Sequence, residues 1–476
     1  MAQGIKQIAA NLVPAVALDP VDSLWEQTLS GSLIYRFWSW LKLRAGSFHQ
    51  PLLEKAGDWM LTGSVPVVLA LLVALALPQF ASDKEGLALF VVIALALRIL
   101  GALLSGQSAH RANAVDMLVV AYLLINVIAT AASHYPIPSL KGLAKLCIYT
   151  SAYFVFVGTL AGSRRRILLA LSTTVAIGLA VALYGLYQYK VGVAPLATWE
   201  DPTVDVQATR IYSTLGNPNL LAGYLVPLTP VCFSLGLVFA ASRKWWLCIP
   251  AIAGGGVFML ATVLTGSRGG YIGLLSAMLA LAAVSGAWLW QCRPKARPLV
   301  VLLVLSVPVL LAVIVHGVPA FEQRVSSLFA GWQHSSNAFR LNVWRASWAM
   351  FLDNWWIGVG PGNQAFRLAY GLYMRSGFDA LGTYCVPLEV AVECGIPGLL
   401  AAAMLLLSVL ARAHEAFWQS ADLESRWLVA GAISAIVGIM AHGAVDTVFY
   451  RPQVHFLFWL LVAVVVTLHD IRDKSP

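Results

Sequence analysis

The sequence predicts an all-α, polytopic membrane bundle of about twelve transmembrane helices with a small helical extracytoplasmic cap. Of its 476 residues, 59% are hydrophobic and only 11% are charged, whereas soluble domains carry about 25% charged residues. A membrane-spanning helix needs about 20 predominantly apolar residues. Runs of this kind begin near Trp59, Gly86, Ala114, Leu140, Ile167, Asn219, Trp245, Gly270, Leu299, Val386, Trp427 and Gln453.

These runs divide the chain into four regions. We expect 1–57 to be a cytoplasmic or interfacial segment and 58–315 to be the first part of the bundle, with an outer loop at 190–216. Residues 316–385 are expected to form an extracytoplasmic helical loop, and 386–476 the last part of the bundle. Because no cleavable signal precedes the first run, the first membrane helix should itself act as the insertion signal.

The N-terminal segment contains an aromatic and basic stretch at Ile34–Arg44. This composition is typical of an amphipathic helix that lies on membrane lipid. A partly disordered basic tail is the alternative. Either form offers a surface for membrane-protein partners.

The basic residues predict the orientation. The chain has 31 Lys and Arg against 22 Asp and Glu. If the N-terminus is cytoplasmic, nineteen of the 31 lie on its side, and five of the remaining twelve lie in one long loop that is discounted. Both termini are therefore predicted to be cytoplasmic, and the positive charge requires no nucleic-acid partner.

The six cysteines form neither a CxxC pair nor a metal-ligand spacing, so we predict buried thiols. They are Cys147, Cys232, Cys248, Cys292, Cys385 and Cys394. The chain also has no P-loop, dinucleotide-binding fingerprint or Ser-His-Asp order. We expect no metal and no cofactor.

The stretch RIYSTLGNPNLLAGY, from Arg210 to Tyr224, combines a fixed cation with the start of a helix. Asn217 is suited to capping that helix, Pro218 to its first position, and Asn219 begins the apolar run. Free N–H groups, the helix dipole and a guanidinium would together form an anion site on the outer face. The alternative is a well-capped membrane helix beside a snorkelling arginine.

A second cation occurs in TGSRGG, from Thr265 to Gly270. This motif is too short for a phosphate loop and is typical of a tight turn between two spans. The predicted topology nevertheless places Arg268 on the same face as Arg210, which makes it a weaker candidate for the same anion site.

The long segment from His316 to Cys385 contains helical signals. Apolar residues recur at helical spacing, and a GVGPGN turn follows at Gly358–Asn363. These apolar residues are Leu341, Trp344, Trp348, Phe351 and Leu352. We therefore predict a helical cap that lies on the membrane surface with this apolar stripe against the bundle.

Several motifs together resemble the O-antigen ligase and polymerase superfamily over Arg210–Pro452. They are RIYSTLGNPNLLAGYL, LTGSRGG, FRLNVW with WWIGVGPGN, PLEVAVECGIPGLL and HGAVDTVFYRP. Within this superfamily the chain is similar to the cyanobacterial inorganic carbon transporter B family, a branch often named for bicarbonate transport. The branch implies a cyanobacterial plasma or thylakoid membrane.

The resemblance implies roles for the outer arginines. Ligases of this superfamily are metal-independent, inverting glycosyltransferases that hold the diphosphate of a lipid-linked glycan with arginines. By motif, Arg210 and Arg340 would be the anion clamps, with Arg268 as a third candidate. The expected partners are membrane lipid and either a small anion or a lipid-linked diphosphate.

The chain also departs from the ligase pattern. Ligases carry a His-Asn pair four residues before a Leu-Glu, and here Tyr384 and Cys385 precede Leu388 and Glu389. Because tyrosine has a pKa near 10, it is a poor base at neutral pH. The protein is therefore expected not to be an active glycosyltransferase. Glu389 is interpreted either as a catalytic group or as a capping or packing carboxylate.

Further ionisable groups lie near the end of the eleventh run. His442 and Asp446 are four residues apart on one helix face. They are interpreted either as a functional polar pair or as a structural one. Arg451 falls on the same predicted face as Arg210. These residues complete the candidate set.

Three functions follow. The first is a role in bicarbonate accumulation through an outer-face anion site, which the branch resemblance favours. The second is an extracytoplasmic glycosyl ligase or polymerase that uses a lipid-diphosphate-linked glycan. The third is a membrane assembly or interaction factor, suggested by the basic aromatic N-terminus and the missing base.

Overall fold

The computed structural model describes residues 51–78, 84–107, 112–194, 210–298, 301–302, 335–420 and 422–472, together with Asp22. These ranges contain thirteen α-helices and no strand. The helices are α1 Pro51–Ala74, α2 Lys84–Ser105, α3 Ala114–Ala132, α4 Pro136–Leu160, α5 Arg164–Val191, α6 Pro218–Ala241, α7 Trp245–Leu264, α8 Arg268–Cys292, α9 Ser335–Asp353, α10 Asn363–Tyr370, α11 Val386–Gln419, α12 Leu423–Gly443 and α13 Pro452–Arg472.

Eleven helices in the described ranges are long and apolar enough to cross a membrane, namely α1 to α8 and α11 to α13. They confirm the polytopic helical bundle and match eleven of the twelve predicted runs. The run near Leu299 lies almost entirely outside the described residues, as do the stretch Ile34–Arg44, most of the 190–216 loop and residues 316–334. The orientation of the termini stays a prediction.

Helix α13 lies at the centre of the bundle. Its most apolar window is 83% buried, against 28% for α8, so α13 packs against protein on nearly all sides. Glycines allow the neighbouring helices to pack closely. A Cβ atom at Gly273 of α8 would lie 2.9 Å from the carbonyl oxygen of Gly438 in α12.

Helix α11 is broken at Gly395, which has φ 63° and ψ −164°. The preceding loop satisfies the backbone groups that the break leaves unpaired. The N–H of Val359 donates to the Val392 carbonyl at 2.9 Å, and the N–H of Gly360 donates to the Glu393 carbonyl at 3.0 Å. The predicted GVGPGN turn therefore packs directly against the break.

Helices α9 and α10 form a second apolar core with the first part of α11, so this part of the predicted cap is helical. The predicted apolar stripe of α9 is wrong in part, because Trp348 and Leu352 are 54% and 53% exposed. Val343 and Met350 are buried instead. Phe351 of the predicted stripe is also buried, whereas Trp348 and Leu352 point outwards.

The two ends of α11 have different polar surroundings. Near its end, Arg412 is almost fully buried and pairs with Asp22 through its Nη2 atom. The loop with Gly358 and Gly360 packs near its start.

The cysteine prediction is only partly correct, since Cys232, Cys248 and Cys394 are buried, Cys147 and Cys385 are intermediate, and Cys292 is exposed.

Candidate functional site

A cavity of about 430 Å³ lies between α3, α4, α11 and α13, beside the start of α6. Six of the predicted site residues line it: Asn217, Asn219, Tyr384, Glu389, Asp446 and Arg451. Residues that the sequence did not single out also line it, among them Tyr122, Lys145, Glu393, Tyr450 and His455. Four predicted residues are not among those that line the cavity: Arg210, Arg268, Arg340 and His442.

The start of α6 is capped as predicted, but its donors are not free. The side-chain oxygen of Asn217 accepts hydrogen bonds from the backbone N–H groups of Asn219 at 2.8 Å and Leu220 at 3.1 Å. The expectation of free N–H groups at this helix start is therefore wrong, because the cap itself uses them. The helix dipole and the Asn side chains remain for recognition.

Arg210 is held between two elements. Its Nε donates to the carbonyl oxygen of Thr265 at 2.9 Å, and its Nη2 donates to the Oδ1 atom of Asn219 at 3.2 Å. Gly266, with φ 63°, lets the turn approach, since a Cβ atom there would lie 3.1 Å from Arg210 Nε. Arg210 is therefore linked to the cavity by its hydrogen bond to Asn219. The TGSRGG segment forms a tight turn, and its Thr265 carbonyl orients the guanidinium of Arg210.

Arg268 has a different position. Its side chain is only 8% exposed, and its Nη1 donates to the Oδ1 atom of Asn337 at 2.7 Å. This bond joins the start of α8 to the start of α9. Arg268 is not among the residues that line the cavity, so its part in anion binding stays a prediction.

Asp446 connects three elements. Its Oδ2 atom lies 3.9 Å from Nη2 of Arg340 and 3.8 Å from Nε2 of His442, and its Oδ1 accepts the N–H of Thr447 at 2.8 Å. Burial alone would raise the pKa of this carboxyl, but His442, Arg340 and the Thr447 amide lower it below its ordinary value. Asp446 is therefore ionised at neutral pH and offsets the charge of Arg340.

His442 is almost completely buried, with 1% of its surface exposed. Gly269 of α8 makes room for its ring, because a Cβ atom there would lie 2.7 Å from it. Neither ring nitrogen has a hydrogen-bond partner among the described residues. The pair with Asp446 is therefore a close electrostatic contact at the end of α12.

Tyr384, which the family resemblance aligns with the ligase His, has a positive φ of 53° that is unusual outside glycine. Its carbonyl accepts the Trp344 Nε1–H at 3.4 Å, and its ring packs edge-on against Phe339. Burial, and then the charge of Asp446, raises the pKa of the Tyr384 hydroxyl. At neutral pH this environment therefore leaves less of the phenolate, the form that could act as a base, than a free tyrosine has.

Glu393 is the main site residue that sequence reasoning missed. One of its oxygens, Oε1, accepts hydrogen bonds from the Tyr450 hydroxyl at 2.8 Å and the Gly362 N–H at 2.9 Å. Burial and the nearby glutamates raise the pKa of Tyr450 far above its ordinary value, so this hydroxyl stays a donor. The sequence did contain a signal for Glu393: it lies four residues after Glu389 in an apolar run, which places both acids on one face of a helix.

The comparisons with known proteins cover part of this site. The O-antigen ligase family model matches residues 253–403. No curated protein matches the chain. The matched range is shorter than the predicted one and contains Arg268, Arg340, Tyr384, Glu389 and Glu393. Together with the eleven candidate spans, this match supports an integral, multi-pass membrane protein that is O-antigen ligase-like over residues 253–403.

Proposed function

We propose that the protein binds an amphipathic oxyanion, of the class of a lipid-linked phosphate or diphosphate, in this cavity. The observation that carries the proposal is the division of the cavity into a polar and an apolar end. Along α13, Arg451 and His455 precede Phe458 and Trp459 in the lining. Polar residues therefore cluster where the helix begins.

The same order holds along α11. Glu389 and Glu393 line the cavity first, and Ala402, Leu405 and Leu406 line it further along. The break at Gly395 lies between these two groups, so the acids line the first part of α11 and the apolar residues line the second part. A ligand that fills the cavity therefore needs a charged head and an apolar chain.

Volume supports the same class of ligand. A cavity of about 430 Å³ falls within the range of roughly 300–1,000 Å³ that accommodates organic ligands. A bare inorganic oxyanion would leave most of the apolar wall without contacts. The head group would meet Lys145, Arg451 and Asn219, with Arg210 bonded behind Asn219.

Glycosyl transfer is a further step that the proposal does not require. It needs a group that activates an acceptor hydroxyl, and Tyr384 is unsuited to that task because burial raises its pKa. The proposed function is therefore binding of the lipid oxyanion. The ligase or polymerase reaction remains the alternative that Tyr384 disfavours.

Binding to the purified full-length protein tests this proposal. The probes are a long-chain polyprenyl phosphate, inorganic diphosphate and bicarbonate, measured by native mass spectrometry in detergent. The polyprenyl phosphate should bind most tightly. Ala402→Phe should weaken only the long-chain probe, because it fills the apolar end, whereas Arg451→Gln should weaken both phosphate probes. Equal binding of the long-chain probe by wild type and Ala402→Phe would contradict the proposal.

A second candidate is the bicarbonate role that the branch resemblance implies. The break in α11 at Gly395 favours it, because discontinuous membrane helices form substrate and ion sites in carriers. Uptake of labelled bicarbonate by proteoliposomes tests it, and uptake no faster than in empty liposomes would exclude transport by the protein alone. The assembly-factor function depends on the missing base and on the basic aromatic N-terminus, most of which lies outside the described ranges.

A further inference from the structure

Glu389 and Glu393 lie one helical turn apart on α11, and both line the cavity. Their side chains are only 5% and 8% exposed. Two carboxylates placed so close together and away from water repel each other when both are charged. The pair is therefore expected to hold one proton between its two members.

Their hydrogen bonds differ. Glu393 accepts two donors, the Tyr450 hydroxyl and the Gly362 N–H, and both stabilise its charged form. The Oε2 atom of Glu389 is buried and has no hydrogen-bond partner among the described residues. A charge on Glu389 would be uncompensated, and such a charge is costly. The proton therefore belongs on Glu389.

The surrounding charges act in the same direction. Titratable or charged groups around the pair are Tyr122 from α3, Lys145 and Tyr149 from α4, Tyr384, Asp446, Tyr450 and Arg451 from the loops, and His455 from α13. Of these groups, Asp446 is close enough to act electrostatically on Glu389, as Glu393 also does. Both are acids, so both oppose a negative charge on Glu389. Lys145 is exposed and Arg451 partly exposed, and the charges that act most on Glu389 are those of the two neighbouring acids.

We propose that Glu389 is a neutral carboxylic acid beside an ionised Glu393, and that its O–H donates a hydrogen bond to an oxygen of the anion in the cavity. The hydrogen bond to the anion rests on the proposed function, whereas the protonation of Glu389 does not. The cavity then recognises the oxyanion with a proton donor as well as with cations. Glu393 has a positioning role, because it ties the 361–363 loop to Tyr450.

The first experiment needs no ligand. Infrared spectroscopy of the purified full-length protein detects the C=O stretch of a protonated carboxyl group at about neutral pH, where exposed carboxyls with pKa values near 4 are ionised. The band should be present in wild type and absent in Glu389→Gln. Asp116→Asn is the matched control, since Asp116 is also buried but accepts bonds from Asn113 N–H and Tyr153 O–H. That variant should keep the band.

A wild-type spectrum without the band, or a band that survives in Glu389→Gln, would overturn the assignment. If Glu389→Gln does not fold, the wild type alone decides by its pH dependence. The band should then persist well above about pH 4, where exposed carboxyls lose their protons. A band that disappears together with the exposed carboxyls would also overturn it.

The second experiment tests donation to the ligand with inorganic diphosphate as the probe. Glu389→Gln keeps a neutral N–H donor, so its affinity should stay within about threefold of wild type. Glu389→Leu has no donor and should bind about tenfold more weakly, the effect of one hydrogen bond. Equal affinity of both variants would contradict donation. If neither wild type nor variants bind any phosphate probe, the proposed function fails while the infrared result still stands.

Discussion

The guanidinium of Arg340 lies 3.9 Å from the carboxylate of Asp446, and this contact joins α9 to the segment that follows α12. The Arg268–Asn337 bond fixes the start of the same helix to α8. Two arginines that sequence resemblance offered as anion clamps therefore also hold α9 in place. Substitutions at such residues are expected to change folding as well as binding, so measuring their effect on binding requires a control for stability.

Arg210→Lys should lower both stability and anion binding. The guanidinium donates from two different nitrogens to Thr265 and Asn219, and a single ammonium cannot reproduce that geometry. The loss should be about 1–3 kcal/mol in the free energy of unfolding. Thermal unfolding of the detergent-solubilised protein measures it. Arg345→Lys, at an exposed position of α9, is the control, and equal stability of both variants would contradict the prediction.

Asp446 should make stability depend on pH in the acidic range. Its folded-state pKa lies below the ordinary value of 3.8, so its stabilising contribution is complete above that value and is lost as the pH falls through the folded pKa. At about neutral pH, Asp446→Asn should be less stable than wild type by about 1–3 kcal/mol. The difference should shrink on acidification.

Unfolding temperatures of wild type and Asp446→Asn across this pH range provide the measurement. Asp379→Asn is the control, because Asp379 pairs with Arg367 at the surface, where both side chains are largely exposed. Such surface pairs contribute about 0–1 kcal/mol. A stability difference between Asp446→Asn and wild type that does not change with pH would refute the prediction.

Gly395→Ala should destabilise the protein strongly. The residue has φ 63°, and an added Cβ atom would lie 2.5 Å from the carbonyl group of Trp356. Backbone strain of this kind costs about 1–3 kcal/mol before the clash is counted. Gly256→Ala is the control, since a Cβ atom there meets nothing within 4 Å. The unfolding temperature should fall only in the first variant, and a fall of similar size in both would argue against the break.

Cysteines placed at Lys295 and Asp379 should be labelled from opposite sides of the membrane. Both positions are exposed, and the predicted run near Leu299 crosses the membrane between them. A membrane-impermeant maleimide should label one in intact cells and the other only after permeabilisation, in a Cys292→Ser background. Labelling of both from the same side would remove the twelfth span and the predicted outer position of the cavity.

The native protein should show no turnover of a lipid-diphosphate glycan donor with an acceptor. The raised pKa of the half-buried Tyr384 hydroxyl leaves little phenolate to act as a base, and loss of a positioned base typically costs about 10² to 10⁴ in rate. Binding of the donor should persist and should depend on Arg210. Tyr384→His alone is not expected to restore transfer, because a base is only one of the groups that a transfer reaction needs. Robust turnover by the native protein would favour the ligase function.

Part of the candidate site was predictable because its signals are local. Asn217 and Pro218 begin α6 as their residue types require, and Asn219, Tyr384 and Glu389 do line the cavity. Glu393 was missed because its importance depends on Tyr450 and Gly362, which are far from it in sequence. The donors at the start of α6 were misjudged because the Asn217 side chain uses them itself.

The sequence by itself determined the helical class and the approximate positions of eleven spans, since the length of an apolar run and the type of capping residue act within a few residues. Only the tertiary structure decided which face of α9 is buried, where α11 breaks, and which charges meet Asp446. These features arise from contacts between distant segments, in which a neighbouring helix supplies the partner that a polar or apolar side chain needs. The cavity belongs to this second group, because residues from distant segments of the chain form its wall.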